Sequence, residues 1–133
     1  MILTYSQAHP RMLLDGKPIM GAPLYSGHGP GLNNPLRESM HDIGPIPAGL
    51  WHIVRWDDHH GDKGPVVAVL EPIGHDAYGR TGFLVHGDNS KGDFSASHGC
   101  IVASHAIRQA MRESGATHIL VVSGLSKEQD HGA

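Results

Sequence analysis

Hydrophobic positions along this chain fall mostly in short runs bounded by turn residues, the pattern of strands rather than long helices. Arg11 to Met20 reads as two short strands about Asp15-Gly16, a dipeptide that supplies the positive φ angles of a tight hairpin. Gly21 to Asn34 is interrupted by Pro23, Gly27, Gly29, Pro30 and Gly31 and reads as a loop. Leu50 to Trp56 is rich in β-formers and runs into the polar stretch Asp57 to Asp62, which predicts a strand followed by a solvated loop. Pro65 to Leu70 and Gly82 to Val85 are continuous apolar runs that predict two central strands, the second delivering His86 at its end. The pattern predicts one helix over 105–114. Ser104 can cap it, Ile107, Ala110 and Met111 recur at helical spacing, Arg108 and Arg112 lie on another face, and Gly115 ends it. Thr117 to Val122 is then a last strand, and Ser126 to Ala133 a polar tail expected to be disordered.

Composition narrows this picture. The 133 residues, 39% of them hydrophobic, suit a single domain with one modest core, expected to span 1–125. Eighteen Gly and nine Pro strengthen the expectation of a mainly β fold. Net charge is −3 and the Lys and Arg residues are scattered singly, so no basic stripe is available and nucleic acid is not an expected partner. No run approaches the roughly 20 apolar residues of a membrane span, so no membrane partner is expected either. Met1 to Ser6 lacks a basic segment followed by a long apolar one, which predicts a protein made in the cytoplasm without a signal peptide. The Gly-rich loop is not a dinucleotide fingerprint, because Leu32 and Asn34 stand where further glycines are needed. No cofactor is expected.

The candidate chemistry sits in His86-Gly87-Asp88-Asn89 and Ser95-Ala96-Ser97-His98-Gly99-Cys100-Ile101, which holds the only Cys. A thiol with a free pKa of about 8.5 needs a nearby base to become a nucleophile, and His86 and His98 are the candidates. His86 is preferred because it leaves a rigid strand, where a carbonyl of Gly87 or Asp88 can orient its ring. Gly99 permits close backbone approach, and the amides of Gly99 and Cys100 can face an oxyanion. The bland readings stand beside these: Cys100 as buried filler, His98 as a support, Asp88 as a turn former, Arg80 as a solvated turn residue. A zinc site from His86, Asp88, His98 and Cys100 is the rival functional reading, although the spacing matches no familiar zinc pattern and no metal is expected.

Ser97-His98-Gly99-Cys100 with the upstream His86-Gly87 resembles the catalytic signature of L,D-transpeptidases. The resemblance is closest to the type VI secretion L,D-transpeptidase effector (Tlde1-like) domain. It is carried by Tyr5-Ser6-Gln7, Gly31-Leu32-Asn33-Asn34-Pro35, Gly44-Pro45-Ile46-Pro47-Ala48-Gly49, Gly79-Arg80-Thr81-Gly82-Phe83, His86-Gly87-Asp88-Asn89 and Gly99-Cys100-Ile101, in order along nearly the whole chain. Val102 and Ala103 stand where the larger transpeptidases place Arg or Asn, so substrate contacts from those enzymes do not carry over.

The resemblance implies a β-sandwich or barrel with one short helix after the catalytic Cys. It also implies a cysteine enzyme cutting peptidoglycan stem peptides between meso-diaminopimelate and D-alanine. Cys100, His86, His98, Gly99, Gly87 and Asp88 form the expected catalytic set, and Arg80, Asn89, Ser97, Tyr25 and Asn33 the expected substrate contacts, with His28 beside the cleft. An antibacterial effector of this kind implies a secretion-system component and a cognate immunity protein as partners, and action in the periplasm after delivery by another route. A phage-type endolysin cutting another wall bond, and a wall-binding module without activity, are the alternatives.

Overall fold

The computed structural model describes residues 1–125, so the expected tail falls outside the described residues. Its strands are β1 (Leu3–Ser6), β2 (Arg11–Leu14), β3 (Lys17–Pro18), β4 (Leu24–Ser26), β5 (Gly49–His59), β6 (Pro65–Ile73), β7 (Leu84–His86), β8 (Ile101–Ala103) and β9 (His118–Val122). One helix, α1 (His105–Ser114), lies between β8 and β9. The strands form a single curled sheet in the order β3-β2-β1-β9-β5-β6-β7-β8-β4. Neighbours run antiparallel except at β1–β9 and β7–β8, which are parallel.

Local chemistry explains the elements that were expected. Asp15 and Gly16 take φ of 50° and 83° and turn β2 into β3. The Ser104 side chain accepts the Ile107 N–H at 3.2 Å, and Gly115 closes α1 in the left-handed region at φ 75°. Ile107 and Met111 then bury one helix face against a core built on Leu3, Tyr5, Trp51, Val85 and Ile101. Trp51 sits in its middle, its ring 4.7 Å from that of Phe83 and its N–H donated to the Pro47 carbonyl at 2.9 Å. A fully buried side chain of this kind contributes about 1.5–3 kcal/mol.

Two expectations are corrected, and two placements add to them. β5 runs on to His59, because its polar end keeps pairing with β6 through Asp57↔Val67 and His59↔Pro65. The stretch read as loop after Gly21 contains β4, which pairs with β8 across Tyr25↔Val102. The helix expected after Cys100 is present, with the short strand β8 between them. Arg108, on another helix face from Ile107 and Met111, is 6% exposed, and its guanidinium is bonded to the carbonyls of Ala103, Pro65 and Val66. Among the described residues no helix is long and apolar enough to cross a membrane.

Candidate active site

Parallel pairing of β7 with β8 brings the two chemical motifs together. Val85 faces Ile101 and His86 faces Val102, so Cys100 enters β8 beside the strand that ends in His86. The turn carrying the thiol is held from several sides. Ser97 Oγ accepts the N–H groups of Gly27 at 2.8 Å and Gly99 at 3.1 Å and donates to the Cys100 carbonyl at 2.6 Å. Ser26 Oγ accepts the Ile46 N–H at 2.8 Å and lies within donating distance of the Gly99 and Cys100 carbonyls, 3.2 and 3.0 Å away. Gly99 has φ 141°, and a Cβ there would lie 2.5 Å from Arg80 Nη2, so only glycine fits. The Gly99 N–H is committed to Ser97. Among the described residues, neither a side-chain acceptor nor a loop backbone hydrogen bond engages the Cys100 N–H.

The thiol accepts the Leu84 N–H at 3.3 Å and points its own proton at the Gly82 carbonyl, 3.6 Å away. Burial pushes its pKa above the ordinary thiol value, opposed by the Leu84 N–H and by the charges of Lys63 and Arg80. His86 is 2% exposed, and burial lowers its pKa below the usual histidine value, against the opposing Gly87 carbonyl. Lys63 and Arg108 lower it further, while Asp62 opposes. The resting pair at neutral pH is therefore a thiol and a neutral imidazole. Nδ1–H of His86 donates to the Gly87 carbonyl at 2.7 Å, which leaves Nε2 as the unprotonated, basic nitrogen.

Among the described residues the thiol makes no hydrogen bond to an imidazole. Cys100 opens onto a cavity of about 180 Å³ with Gly82, Phe83, His41 and Asp42, and His86 onto an adjoining one of about 310 Å³ with Lys63, Asp88 and Asn89. His98 is exposed and lines both. Its ring rests 4.9 Å from that of His28, whose Nδ1–H donates to the Ser97 carbonyl at 2.8 Å.

Several of the expected substrate contacts make hydrogen bonds within the protein. Arg80 is 6% exposed and donates to the carbonyls of Glu38, Pro45, Gly44 and His98, so its guanidinium braces the turn that carries Cys100 while also lining the cavity beside it. Tyr25 is fully buried. Its hydroxyl donates to Asp88 Oδ1 at 2.7 Å and accepts the Ala96 N–H at 3.1 Å, fixing both ends of the excursion between β7 and the Cys turn. Asn33, at φ 51°, accepts the Ser26 N–H through Oδ1, and Ser97 is buried inside the turn. Asp88 also accepts the Asn89 N–H at 2.9 Å, and Asn89 remains on the wall of the larger cavity. The zinc reading finds no converging ligands: among the described residues no three His, Cys, Asp or Glu side chains are placed to hold one ion. Lys63, Asp62 and His41 were missed as cleft residues, because an isolated charge in a polar loop carries no periodic signal.

With this geometry in view, the chain matches the family model described as the Tlde1 domain over residues 21–125. The chain belongs to the Tlde1 domain family. This Tlde1 domain also has the L,D-transpeptidase fold. A Cys-to-Ser mutant of the Enterococcus faecium L,D-transpeptidase superposes with a TM-score of 0.55 at 15% identity, over 91% of this chain and 49% of that one. An L,D-transpeptidase from Xylanimonas cellulosilytica gives 0.52 at 20% identity, over 91% and 59%. The catalytic domain of the E. faecium enzyme gives 0.53 at 18% identity, over 91% and 95%. The chain thus spans about half the length of the first of these structures and nearly all of the isolated catalytic domain. Comparison with curated proteins returns no significant match.

Proposed function

We propose that this Tlde1 domain is a cysteine enzyme of peptidoglycan stem peptides, cutting the bond between meso-diaminopimelate and D-alanine by L,D-carboxypeptidation or D-amino-acid exchange. The observation that carries the reading is a thiol and a pinned, neutral imidazole delivered by adjacent parallel strands in a chain of this family. Likeness to L,D-transpeptidases in fold supports the choice of substrate class.

The resting protonation states suit a general-base mechanism rather than a preformed ion pair. His86 Nε2 takes the Cys100 proton as Sγ attacks the carbonyl carbon, and the new oxyanion faces the Cys100 N–H. Collapse breaks the C–N bond. The imidazolium returns its proton to the leaving amine, and a thioester remains on Cys100. Water, deprotonated by His86, then attacks the thioester to give a stem shortened by one residue and the regenerated thiol. A free D-amino acid attacking in place of water gives exchange. Movement of Sγ away from Gly82 toward His86 precedes the first step, since the resting thiol donates to that carbonyl.

Gly99 and Gly87 serve as close-packing positions, Asp88 and Ser97 as supports of the two turns, and His98 as the shared wall of the cleft. In this reading the domain is the toxic part of an antibacterial effector acting in the periplasm, with a secretion-system component and an immunity protein as its protein partners. Incubation with disaccharide-tetrapeptide followed by mass spectrometry tests it: loss of D-alanine is expected. Cleaved glycan or a freed whole stem would point to an endolysin, and binding without any cleavage to a wall-binding module.

A further inference from the structure

Strands β5 and β6 are joined by a tip that a reading of the sequence leaves in solvent. His60 N–H donates to the Gly64 carbonyl at 2.8 Å and Lys63 N–H to the His60 carbonyl at 2.9 Å, closing a 3-10 turn over Gly61–Lys63. The root of this hairpin is fixed to the catalytic region by one buried cation. Arg108 donates to the Pro65 and Val66 carbonyls on the hairpin and to the Ala103 carbonyl at the end of β8. Its guanidinium also fills the space beside Gly87, where a Cβ would lie 2.8 Å from Nη2. Val66 is held there at φ 54°, a conformation that a β-branched residue adopts only when its surroundings impose it. Lys63 is thus carried on a hairpin whose reach toward His86 is set by the core.

The exposed Lys63 side chain lines the same cavity of about 310 Å³ as His86, Asp88, Asn89 and His98. It is the Lys or Arg of that lining; Asp62 and Asp88 are its acidic members. Asp88 is already engaged by the Tyr25 hydroxyl and the Asn89 N–H. The positive charge of Lys63 lowers the pKa of both Cys100 and His86.

Chemistry then decides which part of a substrate meets this charge. The amine expelled from the scissile bond must collect its proton from His86, so the leaving residue occupies the His86 side of the cleft. A C-terminal leaving residue carries a carboxylate two bonds from that nitrogen. Facing Asp62 and Asp88 alone, it would be repelled. We propose that Lys63 reads this free α-carboxylate and makes the His86-side cavity the seat of a single C-terminal amino acid, as leaving group or as incoming acceptor. The inference rests on the carboxypeptidase reading above.

The test compares disaccharide-tetrapeptide bearing a free C-terminal carboxylate with the same compound as its C-terminal amide. Release of the terminal residue is followed by mass spectrometry for the wild type, Lys63→Met and Lys63→Arg. Wild type is expected to prefer the acid by about tenfold in kcat/KM, as a charge-assisted hydrogen bond in a half-screened site provides. Lys63→Met should lose that preference through a higher KM for the acid, while Lys63→Arg keeps it. Because Lys63 is exposed, Lys63→Met should melt with the wild type. A wild type without preference, or a Lys63→Met variant that keeps it, overturns the assignment of Lys63 while leaving the carboxypeptidase reading standing. Failure of the wild type to release the residue from either compound overturns both.

Discussion

Replacing Arg80 separates a positioning role from a substrate-binding one. Its guanidinium donates to the carbonyls of Glu38 at 2.6 Å, Pro45 and Gly44 at 2.9 Å and His98 at 3.0 Å, and the residue is 6% exposed. Arg80→Met leaves four carbonyls without this donor. With about 1 kcal/mol per lost bond, partly recovered by water at the more open carbonyls, the cost is about 3–4 kcal/mol. At roughly 4 °C per kcal/mol for a domain of this size, the melting temperature should fall by about 12–16 °C. Arg80→Lys keeps the charge but offers three donors on a flexible stem instead of a planar fork, and should lose about 2 kcal/mol. Thermal and urea melts followed by circular dichroism read the stability. The rate of Cys100 alkylation reads the turn, and should rise as the restraint on His98 and Gly99 is lost. If Arg80→Met melts within about 2 °C of the wild type and only raises KM, the guanidinium is free to meet substrate and the clamp is refuted.

Three further outcomes follow from the site. Tyr25→Phe removes the bonds to Asp88 and Ala96 and should cost about 1–2 kcal/mol in a urea melt, with a larger proportional loss of turnover because both ends of the excursion loosen. Gly99→Ala places a methyl against Arg80 and Phe83 at φ 141° and should lower kcat at least about tenfold while costing about 2–3 kcal/mol, measured by turnover and thermal melting. Because burial raises the Cys100 pKa and lowers that of His86, iodoacetamide labelling should lack a low-pH plateau and keep rising beyond pH 9.0, and the acid limb of kcat/KM should lie below pH 6.5. A labelling plateau at neutral pH would instead report a thiolate–imidazolium pair.

The Asp15-Gly16 turn, the two apolar runs of β6 and β7 and the capped helix were legible in the sequence because each is specified by residues close together in the chain. The length of β5 was not: Asp57 and His59 are strand residues only because β6 lies opposite them. The three-residue strands β4 and β8 are too short to show a period, and they exist through their pairing, β4 with β8 and β8 also with β7. That Cys100 and His86 stand out as candidates was legible from residue type and order. The roles of Arg80, Tyr25 and Asn33 were not, since a polar residue near a motif reads the same whether its hydrogen bonds face inward or toward a ligand. Arg108 is a similar case on a helix, where its spacing set it apart from Ile107 and Met111 and could not show that its carbonyl partners lie on β6 and β8.

The most direct measurement of the central claim is mass spectrometry of the intact protein and of tetrapeptide muropeptides for the wild type, Cys100→Ala, His86→Ala and the double variant. If Cys100 and His86 act as one unit, the wild type carries a transient acyl adduct on Cys100 and yields tripeptide stems with free D-alanine. The three variants then fall to a similar residual rate, because the effects of partners in one step do not add. His98→Ala should retain much more activity than His86→Ala. Tripeptide formation that survives Cys100→Ala, or a His86→Ala enzyme with near-normal turnover beside an inactive His98→Ala, would contradict the account.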